Sequence, residues 1–292
     1  MNNKQKNLIV DASVILVILG LIILGTFKDL AISEKIYIGN EWINFFVAII
    51  AKIPAYAFGF YACVCLFALA KDKEDKAMRI FLMCLYAGGA AICGMLGLED
   101  LVESFISNFV EKTILYYAVA FVISAAVFYP VYLYISKKGS LILSANKKAY
   151  LSVILALGII VVLSFVLKEF IERTRYEDVL FRLGRYTKWY EKGYGGDSFP
   201  SGHTASAMAI IACYPLLKNI KILSDKKWIF DISIFVYVIC VALSRIAFGM
   251  HYLTDVAFAA LIAYVVSKAV YYVMFGFNDN YEIKQGSLLE KF

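Results

Sequence analysis

Apolar residues run along this chain in blocks rather than in alternation. Blocks of about 20 residues or more, the length that crosses a bilayer as a helix, lie near 8–27, 43–70, 78–97, 113–135, 149–168, 228–248 and 252–275. A shorter block, 203–217, crosses only if it continues to about Leu223, with Lys218 and Lys221 extending their ammonium groups to the interface. None alternates with period two as the strands of a membrane barrel do, and their length favours helices. The pattern predicts an all-α, polytopic membrane bundle of about eight transmembrane helices. The first block follows Lys4 and Lys6, exceeds the apolar core of a cleavable leader and is not followed by an A-x-A site. It reads as the first transmembrane helix.

Composition agrees. Of 292 residues 62% are hydrophobic, against about 45–50% in soluble domains, and mean hydropathy is +0.73. The formal charge of +6 is not gathered into a stripe that would suit nucleic acid. It follows topology instead. With a cytoplasmic N-terminus, the inside segments 1–7, 71–79, 137–148, 218–227 and 276–292 hold 16 Lys/Arg, and the outside segments 28–42 and 98–112 hold 3. The basic exception is 168–203 with Arg245, on the external side. The six cysteines fall in apolar blocks without a C-x-x-C pair and read as buried small hydrophobes. The basic loop 137–148 divides four N-terminal helices (1–148) from a catalytic region (149–276), followed by a cytoplasmic tail (277–292).

The exception is where the chemistry gathers. The chain has two histidines, His203 and His251, both at expected external helix ends. Imidazole is the side chain that exchanges protons near neutrality unperturbed. His251 and Asp255 stand four apart at the start of the last helix, so a shared face lets the carboxylate accept a hydrogen bond from the ring and orient it. Arg245 arrives at the same membrane face. Pro200-Ser201-Gly202-His203 opens the short helix, whose first N–H groups lack internal partners and attract an anion. Gly202 allows close approach, and Ser201 is either the helix cap or a phosphate ligand. Lys168 and Arg175 stand seven apart. If the helix continues, two turns put them on one face, suited to a phosphoryl group. For Lys168 alone, snorkelling to the interface is the simpler reading.

Lys168-x6-Arg175, Pro200-Ser201-Gly202-His203 and Ser244-Arg245-x5-His251-x3-Asp255 together resemble the type 2 phosphatidic acid phosphatase (PAP2) family, whose patterns are K-x6-R-P, P-S-G-H and S-R-x5-H-x3-D. The resemblance covers roughly 149–275. The departure is Tyr176 in place of the first motif's Pro, which bears on the backbone after Arg175. Six-helix members place two helices before the first motif, so two here are extra to that catalytic core.

The resemblance implies a phosphatase in which His251 attacks phosphorus, Asp255 orients it, and His203 protonates the leaving oxygen and then activates water. Lys168, Arg175, Arg245 and the N–H groups around Ser201 and Gly202 would hold the phosphoryl oxygens. It implies no metal or other cofactor, a lipid phosphate substrate in the bilayer, no nucleic acid and no obligate protein partner. The loop charges put this site on the external face, and the Lys-, Ile- and Asn-rich composition suggests a bacterial inner membrane. Arg182, Arg185, Lys188 and Lys192 read as attraction for anionic headgroups. Lys52, inside an apolar block, either faces the catalytic cavity or pairs with Glu99 or Asp100. Competing readings are a lipid phosphotransferase, a soluble-substrate phosphatase of the glucose-6-phosphatase kind, and a transporter or lipid-binding membrane protein.

Overall fold

A computed structural model describes residues 3–39, 41–106, 113–217 and 227–276. Within these, the apolar blocks become α1 (Asn3–Ile36), α2 (Glu41–Ala70), α3 (Lys76–Ile106), α4 (Thr113–Ser136), α6 (Lys147–Ile171), α10 (Lys227–Ala247) and α11 (Leu253–Phe275). These seven are long and apolar enough to cross a membrane. The short block forms α8 (Gly202–Ala209), a 3-10 turn (Ile210–Cys213) and α9 (Tyr214–Leu217). Its expected continuation to Leu223 lies outside the described residues, as does the expected tail 277–292. Two small helices complete the described residues: α5 (Ser140–Ala145), and α7 (Tyr176–Leu180) beside the site.

The bundle is organised around α8. Every residue from Thr204 to Ala209 is buried, and α2, α6, α10 and α11 pack against it. A helix enclosed by other helices need not match the bilayer thickness, which is why a short Ser- and Thr-containing segment is tolerated at the centre. Close approach comes from small residues: Ala51, Ala55 and Ala62 on α2, Ala205 and Ala209 on α8, Ala259 and Ala263 on α11. Large apolar side chains turn outward instead, with Phe27, Phe165 and Val273 at 78%, 64% and 82% exposure. In water this surface would be unstable, and in lipid it is the expected one.

Helix α1 packs along α11, whereas α3 lies on α2 and α4 on α3. The α3–α4 pair is the least buried of the long helices. Cys63, Cys65 and Cys213 are buried as expected, but Cys84 and Cys240 are exposed on the apolar faces of α3 and α10. For those two the reading as buried groups is corrected, because an apolar block in lipid has two apolar faces and only one meets protein.

Candidate active site

The first motif reaches the site by a route other than the one its spacing suggests. Helix α6 stops at Ile171, and Glu172 takes a left-handed conformation (φ 50°) with its N–H on the Lys168 carbonyl. Lys168 and Arg175 therefore do not share a helix face. Arg175 is the extended cap of α7, and the two cations meet on a third residue, Asp197. Arg175 Nη2 donates to Asp197 Oδ2 at 2.8 Å, and Lys168 Nζ lies 3.6 Å from the same oxygen. Tyr176 occupies the first position of α7, where Pro is tolerated because that N–H has no helical partner. The helix forms without Pro, and the Tyr176 ring packs edge-on to Tyr37 at 5.6 Å and Tyr252 at 6.2 Å.

Asp197 is carried there by backbone pairing. Gly193 N–H bonds to Ile171 O at 2.6 Å, Gly196 N–H to Glu172 O at 2.9 Å and Ser198 N–H to Arg173 O at 2.9 Å. A Cβ at Gly193 would run into the backbone of Glu172 and Arg173, and one at Gly196 into that of Arg173 and Thr174, so the glycine-rich stretch is what lets the two segments zip together. Burial pushes the Asp197 carboxyl up, but the charges of Arg175 and Lys168 outweigh it and hold the group below the usual carboxylate range.

The third motif folds back on itself. Met250 and His251 both donate their N–H to Arg245 O, at 3.1 and 3.2 Å, and Gly249 supplies the positive φ (71°) that the turn needs. The x5 spacer thus brings His251 over Arg245. His251 Nδ1 lies 2.6 Å from the Ser198 carbonyl. A carbonyl can only accept, so Nδ1 carries the proton and Nε2 keeps its lone pair. Burial, then the positive charges of Lys168, Arg245 and Arg175, push the His251 pKa well below the usual imidazole value. The ring is neutral.

Asp255 does not orient His251 directly, which corrects the expectation from the four-residue spacing. Its Oδ2 is 4.0 Å from His251 Nδ1, too far for a hydrogen bond. The physical reason is that His251 precedes the helix: Tyr252 is the cap of α11, in extended conformation, so the two side chains are not one helical turn apart. Asp255 instead accepts from Tyr252 N–H at 2.8 Å, from Ser198 Oγ at 2.6 Å and from Arg173 Nη1 at 2.5 Å. It fixes the residue whose carbonyl holds the histidine.

Arg173, not singled out by any motif, is fully buried. It pairs with Asp29 of α1 at 2.9 Å as well as Asp255, donates from Nε to Thr187 O at 2.9 Å, and lies 4.1 Å from the Tyr252 ring centroid. Asp29 in turn accepts from Thr254 N–H at 3.0 Å. Helix α1 is thereby tied to the motif-bearing loops through a buried carboxylate just beyond the first apolar block, in a segment the charge pattern places outside the membrane.

At the start of α8, Ser201 Oγ accepts from Thr204 N–H, so the hydroxyl serves as the helix cap. A Cβ on Gly202 would meet nothing within 4 Å, leaving open space before the helix N-terminus. His203 Nε2 lies 3.2 Å from Asp100 Oδ2 of α3. Lys52 pairs with both Glu99, at 2.6 Å, and Asp100, at 3.1 Å, in line with the pairing expected for it. Arg245 is 4% exposed, and its Nε and Nη1 have no hydrogen-bond partner among the described residues. A buried guanidinium with two nitrogens left unbonded is costly and suits an arriving anion. The basic residues at 182–192 stay outside this cluster. Lys192 lies 3.7 Å from Glu172 on the exposed loop.

Residues 149–279, the stretch that carries all three motifs, match the model of the PAP2 superfamily. Phosphatidylglycerophosphatase B of Bacillus subtilis (strain 168) is 30% identical over 131 residues, which is 44% of this chain and 58% of that relative. The similarity thus spans less than two thirds of the relative's length. No solved structure matches the chain.

Proposed function

We propose that this chain is a membrane phosphatase acting on lipid phosphates, phosphatidylglycerophosphate being the first candidate by similarity to the named relative, with phosphatidic acid and polyprenyl diphosphates as alternatives. The observation that carries the reading is His251: a neutral imidazole held through Nδ1 by Ser198 O at 2.6 Å, set beside Arg245, whose Nε and Nη1 lack hydrogen-bond partners among the described residues. A nucleophile and a receptacle for anionic oxygens are thus adjacent.

The chemistry follows from those positions. His251 Nε2 attacks phosphorus while the bond from phosphorus to the leaving oxygen breaks, and His203 gives that oxygen its proton. The product alcohol departs, leaving a phosphohistidine. His203, now neutral, takes a proton from water as its oxygen attacks phosphorus. The N–P bond then breaks, restoring His251 and releasing phosphate. Lys168, Arg175, Arg245 and the first N–H groups of α8 stabilise charge on the non-bridging oxygens. Arg175 and Lys168 become free for this when Asp197 gives way to the substrate.

A lipid rather than a soluble ester is favoured by a cleft of about 580 Å³ between α1, α8, α10 and α11. It is lined by apolar side chains such as Val14, Ile18, Phe235 and Val256, and its lining includes Thr204 and Leu253, which stand one and two residues from His203 and His251 along the chain. A hydrocarbon tail fits there, with its headgroup at the site. The charge distribution of the loops favours the external face. The test is phosphate release by detergent-purified protein, with EDTA present, from lipid mono- and diphosphates and from sugar phosphates. Turnover of a lipid that persists in EDTA and is lost in His251→Ala supports the reading. Turnover only of sugar phosphates, or activity without His251, overturns it.

A further inference from the structure

The contact between His203 and Asp100 joins the catalytic region to a helix that otherwise lies outside it. Helix α3 packs mainly on α2 and α4, yet its Asp100 Oδ2 lies 3.2 Å from His203 Nε2. The Asp100 side chain is 15% exposed and that of His203 16%, so the pair is largely withdrawn from solvent. Lys52 of α2 lies 3.1 Å from the same carboxylate oxygen and 2.6 Å from Glu99.

Consider what a general acid requires here. His203 must hold two ring protons before the leaving oxygen departs, yet the charges around it are predominantly positive. Burial, then the charges of Arg245 of α10 and Lys52 of α2, push its pKa down to about 3, and His251 stands nearby. On α3, Asp100 touches the ring, while Glu99 and Glu103 complete the acidic side. Tyr56 of α2 accepts from Ser206 Oγ one turn along α8, at 3.4 Å. Opposed to the cations, a carboxylate in contact with Nε2 favours the doubly protonated ring and fixes its rotation.

We propose that Asp100 is a positioning residue for the reaction, holding the proton and the orientation of His203, with Lys52 and Glu99 fixing the carboxylate in place. This inference rests on the phosphatase reading above. It gives α3 a part in catalysis that the motif region 149–279 does not contain.

The test is Asp100→Asn, read by kcat/KM on two leaving groups. This parameter reports steps up to formation of the phosphohistidine. A lipid phosphate leaves as an alkoxide and needs the proton, whereas p-nitrophenyl phosphate releases a stable anion and does not. The expected result is a loss of about 10–100-fold on the lipid phosphate with little change on the aryl ester. The alkaline limb of the lipid pH profile should move toward lower pH by about one unit, because an acid without its carboxylate gives up its proton sooner. The ratio between substrates is insensitive to how much protein folds, so a destabilised variant still gives an answer. Equal losses on both substrates with an unmoved alkaline limb reduce Asp100 to a structural strut and overturn the proposal. A wild type inactive on both overturns the phosphatase reading and this role with it; an active wild type matched by Asp100→Asn overturns the role alone.

Discussion

The imidazole of His251 is held by the backbone of Ser198, 2.6 Å from Nδ1 to the carbonyl oxygen, while Asp255 keeps 4.0 Å away from the same nitrogen. The carboxylate therefore acts one step removed, through Ser198 Oγ and Arg173. Asp255→Asn should lower kcat by about 10–100-fold, since the tautomer is still set by the carbonyl, whereas His251→Ala should abolish turnover. Phosphate release by the two variants side by side checks this, and equal loss in both would mean that Asp255 acts on the ring directly.

The position of His251 also sets a pH dependence. Its pKa is pushed below the usual value of about 6.5, and the nucleophile is the neutral form. A lowered pKa keeps that form populated at lower pH, so the acid limb of kcat/KM should lie below pH ~6. A profile measured across the acid range decides it, and an acid limb near or above 6.5 attributable to His251 would contradict the buried, cation-flanked setting.

Arg173 should matter for stability as much as for activity. Removing it in Arg173→Ala leaves Asp29 and Asp255 buried without their shared cation, an arrangement that costs about 3–5 kcal/mol. Thermal unfolding in detergent should show a clear drop. The Asp29→Asn variant, which leaves the Arg173–Asp255 pair in place, should drop less.

Arg245 is expected to show the opposite balance. Because its Nε and Nη1 are unpartnered, Arg245→Met removes a buried charge and should leave the fold as stable or more stable. Turnover should fall by about 10²–10³-fold, and inhibition by vanadate should weaken. Unfolding and inhibition curves on the same preparation separate the two effects.

Asp197 occupies the two cations, Arg175 and Lys168, that the proposed phosphoryl site uses. Asp197→Asn should lower the inhibition constant for inorganic phosphate, by freeing Arg175 and Lys168. The sign with pH follows from its depressed pKa. The ion pair's contribution to stability is present above the ordinary carboxylate pKa of about 4 and is lost as pH falls through the lower folded value. The wild type should therefore lose stability below pH ~4 more steeply than Asp197→Asn.

The helical bundle is legible in the sequence, and so are the residues that the proposed chemistry assigns. Apolar blocks long enough to span a bilayer leave helices as the available solution for the backbone, and two histidines in a chain with few candidates narrow the reactive groups at once. At the start of α8 local rules leave Ser201 as either helix cap or phosphate ligand, and the Thr204 N–H bonded to its Oγ makes it the cap. Which side chain holds which follows from three-dimensional packing. The spacings of Lys168 with Arg175 and of His251 with Asp255 suggest shared helix faces, but a left-handed Glu172 and the extended Tyr252 end or delay the helices concerned. The contacts come instead from residues distant in sequence: Asp197 to Arg175, Ser198 to His251, Asp29 to Arg173, Asp100 to His203. Periodicity registers which face of a helix is apolar. It carries no record of which buried carboxylate on another helix will meet a given cation, because that pairing is fixed by how helices pack in three dimensions and by the high cost of leaving a buried charge unpaired.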